Sequence, residues 1–267
     1  MIDLVIYHGS CRDGFTAAWV ARLRYPEAEF HAGYFGQKPL PVSGRHVLIV
    51  DFSYPRSVME EIARQAESVL LLDHHKTAQA DLSGLAYAHF DMERSGAGIA
   101  WDYLFYGKRR PWLVNYVEDC DLWRFRLRDS RAVNAYLGVL PFEFDAWTGA
   151  DELGYERAKA LGEVVLAKID QYVSEVSKNA RLITLDGYSV PAVNASPVDT
   201  SELLEGLAVG NPFALSWSVR ADGVFQYSLR SAADGVDVSE IAKAHGGGGH
   251  EHAAGFESTG PLKGLFA

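Results

Sequence analysis

Short apolar runs bounded by polar residues alternate with stretches of helical period in the first half of the chain. The runs Leu4–Tyr7, His46–Val50 and Val69–Leu72 predict buried strands. Apolar positions of period 3.6 predict helices over Gly14–Leu23 and Pro55–Ala66, which separate those strands. Strands that alternate with helices in this way predict a parallel, helix-covered sheet.

The second half changes from helical period to strand period. A helix is predicted to begin near Ser95, another to run from Pro111 to Glu118–Asp121, and a third to span Asp151–Asn179. The segments that follow predict strands at Arg181–Leu185, Ser189–Asn194, Ala214–Val219 and Phe225–Ser231, with one helix near Val238–Ala244. The predicted fold class is therefore α/β, with a parallel-sheet domain over residues 1–150, a connector helix over 151–180 and a smaller α/β domain over 181–267. We expect the active-site cleft between the two domains.

Composition narrows the class of protein. The chain has 267 residues, 48% of them apolar, and a net charge of -10, so no overall basic field exists to hold long duplex nucleic acid. Its two cysteines, Cys11 and Cys120, exclude a disulfide scaffold and fit a reducing compartment. No apolar run approaches the length needed to span a bilayer, and the first residues carry no basic leader. The predicted location is the cytoplasm, without a membrane partner.

Three adjacent residues, Asp73, His74 and His75, directly follow the third predicted strand. Ligands of open α/β sheets bind at the carboxyl ends of the strands, which is where this triplet lies. Carboxylate oxygen and imidazole nitrogen form a mixed ligand set suited to manganese or zinc-like ions. The alternative is a solvated polar loop in which two histidines are neighbours without a function.

Other acidic and imidazole side chains also stand at or just past the ends of predicted elements: His8 with Asp13, Asp51, and Asp119 with Asp121. Each taken singly has an ordinary structural explanation, such as a turn, a helix cap or a core histidine. Taken together they converge at one edge of a parallel sheet, where carboxylates repel one another unless a cation neutralises them. Two ions about 3.5–4 Å apart would clamp a phosphoryl group and produce hydroxide near neutral pH.

A glycine run near the carboxyl end predicts a phosphate-binding element. Four consecutive glycines, Gly246–Gly249, leave backbone N–H groups open to close approach, and His250 can add a side-chain donor. Arg230 offers a bidentate fork to the same kind of oxygen. We predict that Arg230, Gly248, Gly249 and His250 bind substrate; a flexible glycine linker is the alternative.

These residues together resemble the DHH phosphoesterase superfamily over nearly the whole chain. The motifs that carry the resemblance are His8–Gly14, Val50–Ser53, Asp73–His75 and Glu118–Trp123, followed by Arg230–Ser231, Gly247–His250 and Ala253–Gly255. The resemblance implies a metal-dependent phosphohydrolase with two domains, a DHH domain and a DHH-associated C-terminal domain. It also implies two divalent ions, usually manganese.

The resemblance implies a role for each motif residue. The implied metal ligands are His8, Asp13, Asp51, His74 and either Asp119 or Asp121. We prefer Asp119, because relatives follow this aspartate with a small residue, which Cys120 matches. Asp51 would bridge the ions. His74, His75 and Asp73 would form the catalytic group, with His75 either supporting a metal ligand or stabilising the transition state, and Asp73 orienting a ligand histidine.

The first motif departs from the family pattern at Cys11, where relatives generally carry an aspartate. A thiolate could bind a softer ion there. Alternatively, Cys11 is a small strand-end residue that leaves one metal position weak or filled by water. We favour the second interpretation, because no second sulfur ligand lies nearby in sequence.

The predicted activity is hydrolysis of short oligoribonucleotides or linear dinucleotides to nucleoside monophosphates. The segment Trp123–Arg128 interleaves aromatic and arginine side chains, which could stack a base and hold a phosphate or form an ordinary edge strand. Within the same chemistry, the alternatives are a 3′,5′-bisphosphate nucleotide phosphatase, a cyclic-dinucleotide phosphodiesterase and an exopolyphosphatase. A nucleotide-binding sensor without catalysis is the alternative of another class. The sequence allows a homodimer without requiring one.

Overall fold

The computed structural model describes residues 2–9, 11–198 and 200–265. The chain divides into two compact units, unit 1 over residues 1–166 and unit 2 over residues 167–267. Each unit is built on a sheet with packed helices, and the predicted α/β fold class is confirmed. The catalytic, connector and substrate-binding roles assigned to residues 1–150, 151–180 and 181–267 stay predictions.

Unit 1 contains a five-stranded, wholly parallel sheet in the order β2-β1-β3-β4-β5. Its strands are β1 (Leu4–His8), β2 (Glu29–Gly33), β3 (His46–Val50), β4 (Ser68–Asp73) and β5 (Ala88–Phe90). The helices of this unit are α1 (Arg12–Arg24), α2 (Arg56–Gln65), α3 (Lys76–Asp81), α4 (Gly96–Leu104), α5 (Trp112–Asp121), α6 (Ser130–Gly138) and α7 (Phe144–Leu153).

The sheet is buried on both faces, which explains why its central strands read as continuous apolar runs. Along β1, Leu4 and Ile6 pack into one hydrophobic cluster with α2, whereas Val5 packs into the other with Phe15 and Trp19 of α1. Alternate side chains of a strand point to opposite faces, so the apolar residues of β1 contribute to the hydrophobic clusters on both faces of the sheet. The carboxyl ends of the strands are thereby held in fixed positions along one edge.

The predicted helix over Asp151–Asn179 is interrupted in the structure. Residues 151–153 complete α7, Gly154 adopts φ +82°, and α8 runs from Tyr155 to Ser177. The positive φ of Gly154 ends the first helix, because a residue without Cβ adopts it at little cost.

Unit 2 contains a six-stranded mixed sheet in the order β10-β11-β9-β8-β7-β6. Its elements are β6 (Arg181–Leu185), β7 (Tyr188–Asn194), α9 (Thr200–Ala208), β8 (Ala214–Val219), β9 (Phe225–Arg230), α10 (Val238–Ala244), β10 (Gly248–His250) and β11 (Ala253–Ser258). The pair β7 and β8 is parallel, and the other neighbours are antiparallel. Among the described residues of both units, no helix is long and apolar enough to cross a membrane.

Candidate metal centre

The candidate site lies at the carboxyl edge of the parallel sheet. His8 is the last residue of β1, Asp51 follows β3, and Asp73 is the last residue of β4, with His74 and His75 directly after it. The strand β2 lies on one side of β1, whereas β3, β4 and β5 follow on the other side. The strand order therefore reverses between β1 and β3, and open α/β proteins bind their ligands at such a switch point. Three motifs far apart in sequence therefore meet at adjacent strand ends. Ser10, within the first motif, lies outside the described residues.

His74 is the centre of the cluster. Its Nε2 lies 3.1 Å from Asp51 Oδ1, 3.5 Å from Asp121 Oδ2 and 3.7 Å from Asp13 Oδ2. The side chains of His74, Asp13 and Asp51 are almost completely buried. Three carboxylates around one imidazole leave an excess of negative charge in a place that water hardly reaches.

Asp13 is held in place by the amino-terminal end of α4. The backbone N–H of Gly96 donates to Asp13 Oδ2 at 2.5 Å, and that of Ala97 donates to Oδ1 at 3.1 Å. A Cβ at Gly96 would lie 2.4 Å from the Asp51 Cβ, so only glycine lets α4 approach this closely. The sequence reasoning identified Ser95 as the cap of this helix, which the structure confirms, but it missed Gly96 and Ala97. The run of small residues from Ser95 to Gly98 is the signal that could have found them.

Asp51 combines a strained backbone conformation with a buried carboxylate. It adopts φ 54°, in the left-handed region that few residues other than glycine occupy. Ring nitrogens of His74 and His8 lie 3.1 and 3.6 Å from the carboxylate oxygens of Asp51 without the geometry of a hydrogen bond, although the side chain is 1% exposed. Buried acceptors without a donor are costly, so a ligand is the expected partner of these oxygens.

Asp73 orients His75, and not the ligand candidate His74, through a ring nitrogen. Asp73 Oδ1 lies 2.7 Å from His75 Nδ1 and also accepts the backbone N–H of His74 at 2.7 Å. Ser53 donates to the other oxygen at 2.5 Å. A proton on His75 Nδ1 directed at Asp73 fixes the tautomer of that ring. The predicted orienting role of Asp73 therefore applies to the second histidine of the triplet.

The structure brings Asp121, and not Asp119, to the cluster. Asp119 Oδ1 accepts the backbone N–H of Arg126 at 2.9 Å, and Oδ2 accepts that of Leu127 at 3.1 Å. Asp121 Oδ2 is buried without a hydrogen-bond donor and faces His74. This placement favours Asp121 over the sequence-based preference for Asp119 as the ligand, because the carboxylate of Asp119 already accepts two backbone N–H groups of the following loop.

The pKa values reflect this crowding of charge. Burial raises the pKa of Asp13 well above its ordinary value, and the neighbouring Asp51 and Asp121 raise it further. Burial opposes the ionisation of Asp51 as well, but the imidazoles of His74 and His8 hold its pKa well below the usual range. Burial alone would lower the pKa of His74, yet the carboxylates of Asp51, Asp121 and Asp13 raise it to about 11. A divalent cation that takes the place of this proton would supply the positive charge that the cluster needs, with His74 neutral as its ligand.

The donor set fits divalent cations. Four buried side-chain atoms among the described residues have no hydrogen-bond partner: His8 Nδ1, Asp51 Oδ1, Asp51 Oδ2 and Asp121 Oδ2. Ligand atoms of Asp13, His74 and Asp121 lie within 4.8 Å of one another, as do those of His8, Cys11 and Asp51. Asp51 Oδ2 lies 3.6 Å from His8 Nδ1 while Oδ1 faces His74, so this carboxylate touches both groups. Oxygen and nitrogen donors in this number suit two ions.

In unit 2, the glycine run forms part of a β-hairpin and not a flexible linker. The strand β10 pairs with β11, and β11 pairs with β9, so that His250, Ala253 and Arg230 stand in one row across three strands. Residues in register share a face of the sheet, and so do residues two apart along a strand. Gly248, His250 and Arg230 therefore share one face, whereas Gly249 points to the other.

The glycines of this hairpin are not equivalent. A Cβ at Gly247 would lie 2.1 Å from the Gly255 carbonyl oxygen, and one at Gly249 would lie 2.6 Å from the Ala253 carbonyl oxygen. A Cβ at Gly248 would meet no atom within 4 Å. Packing therefore requires Gly247 and Gly249, and it does not explain Gly248.

The segment Trp123–Arg128 is a loop and not an edge strand. Trp123 and Phe125 adopt φ 53° and 46°, and their rings pack edge to face at 4.8 Å. The guanidinium of Arg131 lies 4.9 Å from the Phe125 ring centroid, and Arg124 donates to the Glu93 carbonyl oxygen. These aromatic rings already pack against groups of their own unit.

An exposed aromatic side chain beside the cluster was missed. Phe35 follows β2 and is 66% exposed, and its ring lies 5.3 Å from the His8 ring and 5.2 Å from the Phe52 ring. Sequence reasoning had no signal for it, because a single phenylalanine in a loop carries no pattern. Its position next to a candidate metal ligand is visible only in the structure.

No protein-family model matches this chain. An uncharacterized protein of Acanthamoeba polyphaga mimivirus is 30% identical over 297 residues, which cover 99% of this chain and 69% of that protein. The oligoribonuclease NrnB of Bacillus subtilis is 27% identical over 229 residues, covering 78% of this chain. The aligned region is 57% of NrnB, so this chain spans little more than half the length of that relative.

Two solved structures have a similar fold at low sequence identity. The pGpG-specific phosphodiesterase PggH from Vibrio cholerae has a TM-score of 0.55 and 13% identity, with 96% of this chain and 93% of PggH covered. An exopolyphosphatase-related protein from Bacteroides fragilis has a TM-score of 0.50 and 12% identity, with 98% and 88% covered. Both likenesses concern the fold.

Proposed function

We propose that this chain, a member of the DHH phosphoesterase superfamily, is a metal-dependent phosphodiesterase. Its proposed substrates are short oligoribonucleotides or linear dinucleotides, and its products are nucleoside monophosphates. The observation that carries the proposal is Asp51, a buried carboxylate without hydrogen bonds that touches two groups of ligand atoms. The relationship to an oligoribonuclease supports the choice of substrate class.

In the proposed centre each side chain has a distinct task. Asp13, His74 and Asp121 would hold one ion and His8 a second, with Asp51 shared. Divalent ions would supply charge neutralisation and activation of water for attack on phosphorus. His75, its Nδ1 fixed by Asp73 at 2.7 Å, would direct its other ring nitrogen to a phosphoryl oxygen. Manganese is the proposed metal for the group of Asp13, His74 and Asp121, whose ligand atoms are only oxygen and nitrogen.

Phe35 favours a substrate that carries a base over inorganic polyphosphate. An aromatic ring that is 66% exposed beside a candidate metal ligand is suited to stacking on a nucleobase. A polyphosphate chain offers nothing that such a ring can stack on. Short substrates also agree with the net charge of -10, which gives long nucleic acid no extended basic surface.

Replacing Phe35 with alanine is expected to raise KM for a linear dinucleotide by roughly 5- to 160-fold, because base stacking is worth about 1–3 kcal/mol. The kcat is expected to change little, since the ring contacts the base and not the reacting phosphorus. Steady-state kinetics measures both constants. Tyr106→Ala, which removes an aromatic side chain that is 92% exposed, is the matched control. An unchanged KM for Phe35→Ala would refute base stacking at this position.

Gly248→Ala is expected to raise KM roughly tenfold, equivalent to about 1.4 kcal/mol, without loss of stability. The added methyl group has space in the folded chain, but it stands on the face shared by Arg230 and His250, where we propose that a phosphate binds. The comparison variant is Gly247→Ala, which is expected to lower the melting temperature because its Cβ meets the Gly255 carbonyl oxygen. Thermal melts and dinucleotide titrations distinguish the two. A Gly248→Ala enzyme with wild-type KM would count against this phosphate site.

The experiment that tests the proposed function is a substrate panel with Mn²⁺. It compares dinucleotides, longer RNA, a 3′,5′-bisphosphate nucleotide, a cyclic dinucleotide and inorganic polyphosphate by product chromatography. The highest kcat/KM is expected for the dinucleotide or the shortest RNA. Preference for the bisphosphate nucleotide, the cyclic dinucleotide or polyphosphate would replace the proposed substrate by that one. Tight nucleotide binding without any product would indicate the sensor instead.

A further inference from the structure

The side chain of Cys11 belongs to a group of possible metal-ligand atoms at the sheet edge. Its Sγ, a ring nitrogen of His8 and a carboxylate oxygen of Asp51 lie within 4.8 Å of one another. We call these three residues the sulfur group. A second group, formed by Asp13, His74 and Asp121, contains no sulfur.

A second observation at the same place points to a ligand. His8 Nδ1 and Asp51 Oδ2 are buried atoms that make no hydrogen bond to a described residue, and they lie 3.6 Å apart. Asp51 is 1% exposed, so water gives its carboxylate little compensation. A cation in contact with both atoms would satisfy them, and Cys11 Sγ is the third atom within reach.

We propose that the sulfur group binds a thiophilic borderline cation, of the class of Zn²⁺ or Co²⁺, with the Cys11 thiolate as a direct ligand. This proposal rests on the metal dependence proposed above and names the ion that one position selects. The two positions then differ in chemistry, with nitrogen, sulfur and oxygen donors at the sulfur group and only nitrogen and oxygen donors at the other. Thiolate sulfur favours zinc-like ions, whereas carboxylate-rich sets suit manganese.

This proposal replaces the sequence-based preference for Cys11 as a small strand-end residue. That preference rested on the absence of a second sulfur nearby in sequence. A mixed site needs no second sulfur, because one thiolate with one imidazole and one carboxylate is an accepted set of protein ligands for zinc. The structure supplies the imidazole from the end of β1 and the carboxylate from the end of β3.

The other cysteine is a natural control. Cys120 lies on α5, and its Sγ accepts a hydrogen bond from Arg12 Nη1 at 3.8 Å. It belongs to neither of the two groups of ligand atoms. Cys120→Ser therefore removes one of the two thiols of the chain without changing the sulfur group.

The test uses Co²⁺ as a spectroscopic probe on metal-free, full-length protein. Wild-type and Cys120→Ser are expected to develop a thiolate-to-cobalt charge-transfer band on titration, and Cys11→Ser is expected to bind Co²⁺ without it. In equilibrium dialysis with metal analysis, Cys11→Asp is expected to lose Zn²⁺ affinity by about 10- to 100-fold or more. The same variant, which carries the aspartate of the family pattern, is expected to bind Mn²⁺ more tightly than wild type.

The outcomes separate this inference from the proposed function. Co²⁺ binding to wild-type protein without a charge-transfer band would overturn the thiolate ligand and leave metal-dependent hydrolysis standing. A band that survives in Cys11→Ser would overturn it as well. Absence of any metal binding by wild-type protein would sink both this inference and the proposed function. The wild-type titration needs no substitution, so the answer does not depend on whether a variant folds.

Discussion

Asp51→Asn is expected to lower kcat/KM for a linear dinucleotide by about 10³-fold or more. This loss equals or exceeds the loss of about 10²- to 10³-fold that follows when an enzyme loses one group that stabilises charge in the transition state. The variant loses the carboxylate that touches both groups of ligand atoms, while its shape stays the same. The fold is expected to survive, because asparagine tolerates the left-handed conformation at φ 54° and neither oxygen of Asp51 is used in a hydrogen bond.

Activity and melting temperature with and without Mn²⁺ together test this prediction. Wild-type protein is expected to melt at a higher temperature with the ion, because a ligand that binds only the folded state stabilises it. Asp51→Asn is expected to lose most of that gain. Asp91→Asn is the matched control: Asp91 also follows a strand of this sheet, but its oxygens accept hydrogen bonds from Glu93 and Arg94. Retention of wild-type kcat/KM by Asp51→Asn would refute the metal centre.

The central strands and the residues at their carboxyl ends were predictable from the sequence. A strand buried on both faces needs apolar residues at every position, so β3 and β4 stand out, and the side chains that follow them must lie at one edge. The edge strands β2 and β5 were not predicted. The burial of Glu29–Gly33 and Ala88–Phe90 is largely partial, and pairing with β1 and β4 defines them as strands.

The choice between Asp119 and Asp121 shows what a linear motif cannot encode. Two residues that are two apart on a helix point about 200° away from each other, so only one of them can face the cluster. Which one faces it depends on the rotation of α5 against its neighbours, and that rotation is set by packing in the core. The αL turns at Trp123 and Phe125, which bring the next loop back onto Asp119, are tertiary features of the same kind.

Substitution of these two aspartates is expected to separate activity from stability. Asp121→Asn should reduce kcat/KM by about 10²- to 10³-fold, since it removes a buried carboxylate directed at His74. The metal-free protein should not melt earlier, because this carboxylate repels Asp13 and Asp51 and its Oδ2 accepts no hydrogen bond. Asp119→Asn should instead lower the free energy of unfolding by about 1–3 kcal/mol, since an amide can accept at only one of the two positions.

The reason for that separation is the partner of each carboxylate. Asp119 holds the backbone N–H groups of Arg126 and Leu127, so its loss loosens a loop and leaves a buried donor without an acceptor. Denaturant titration and dinucleotide kinetics on both variants measure the two effects. If Asp119→Asn abolishes activity at full stability while Asp121→Asn keeps wild-type kcat/KM, the ligand assignment at the end of α5 must be reversed. Because both variants are isosteric with the natural residue, such a reversal would reflect charge and not packing.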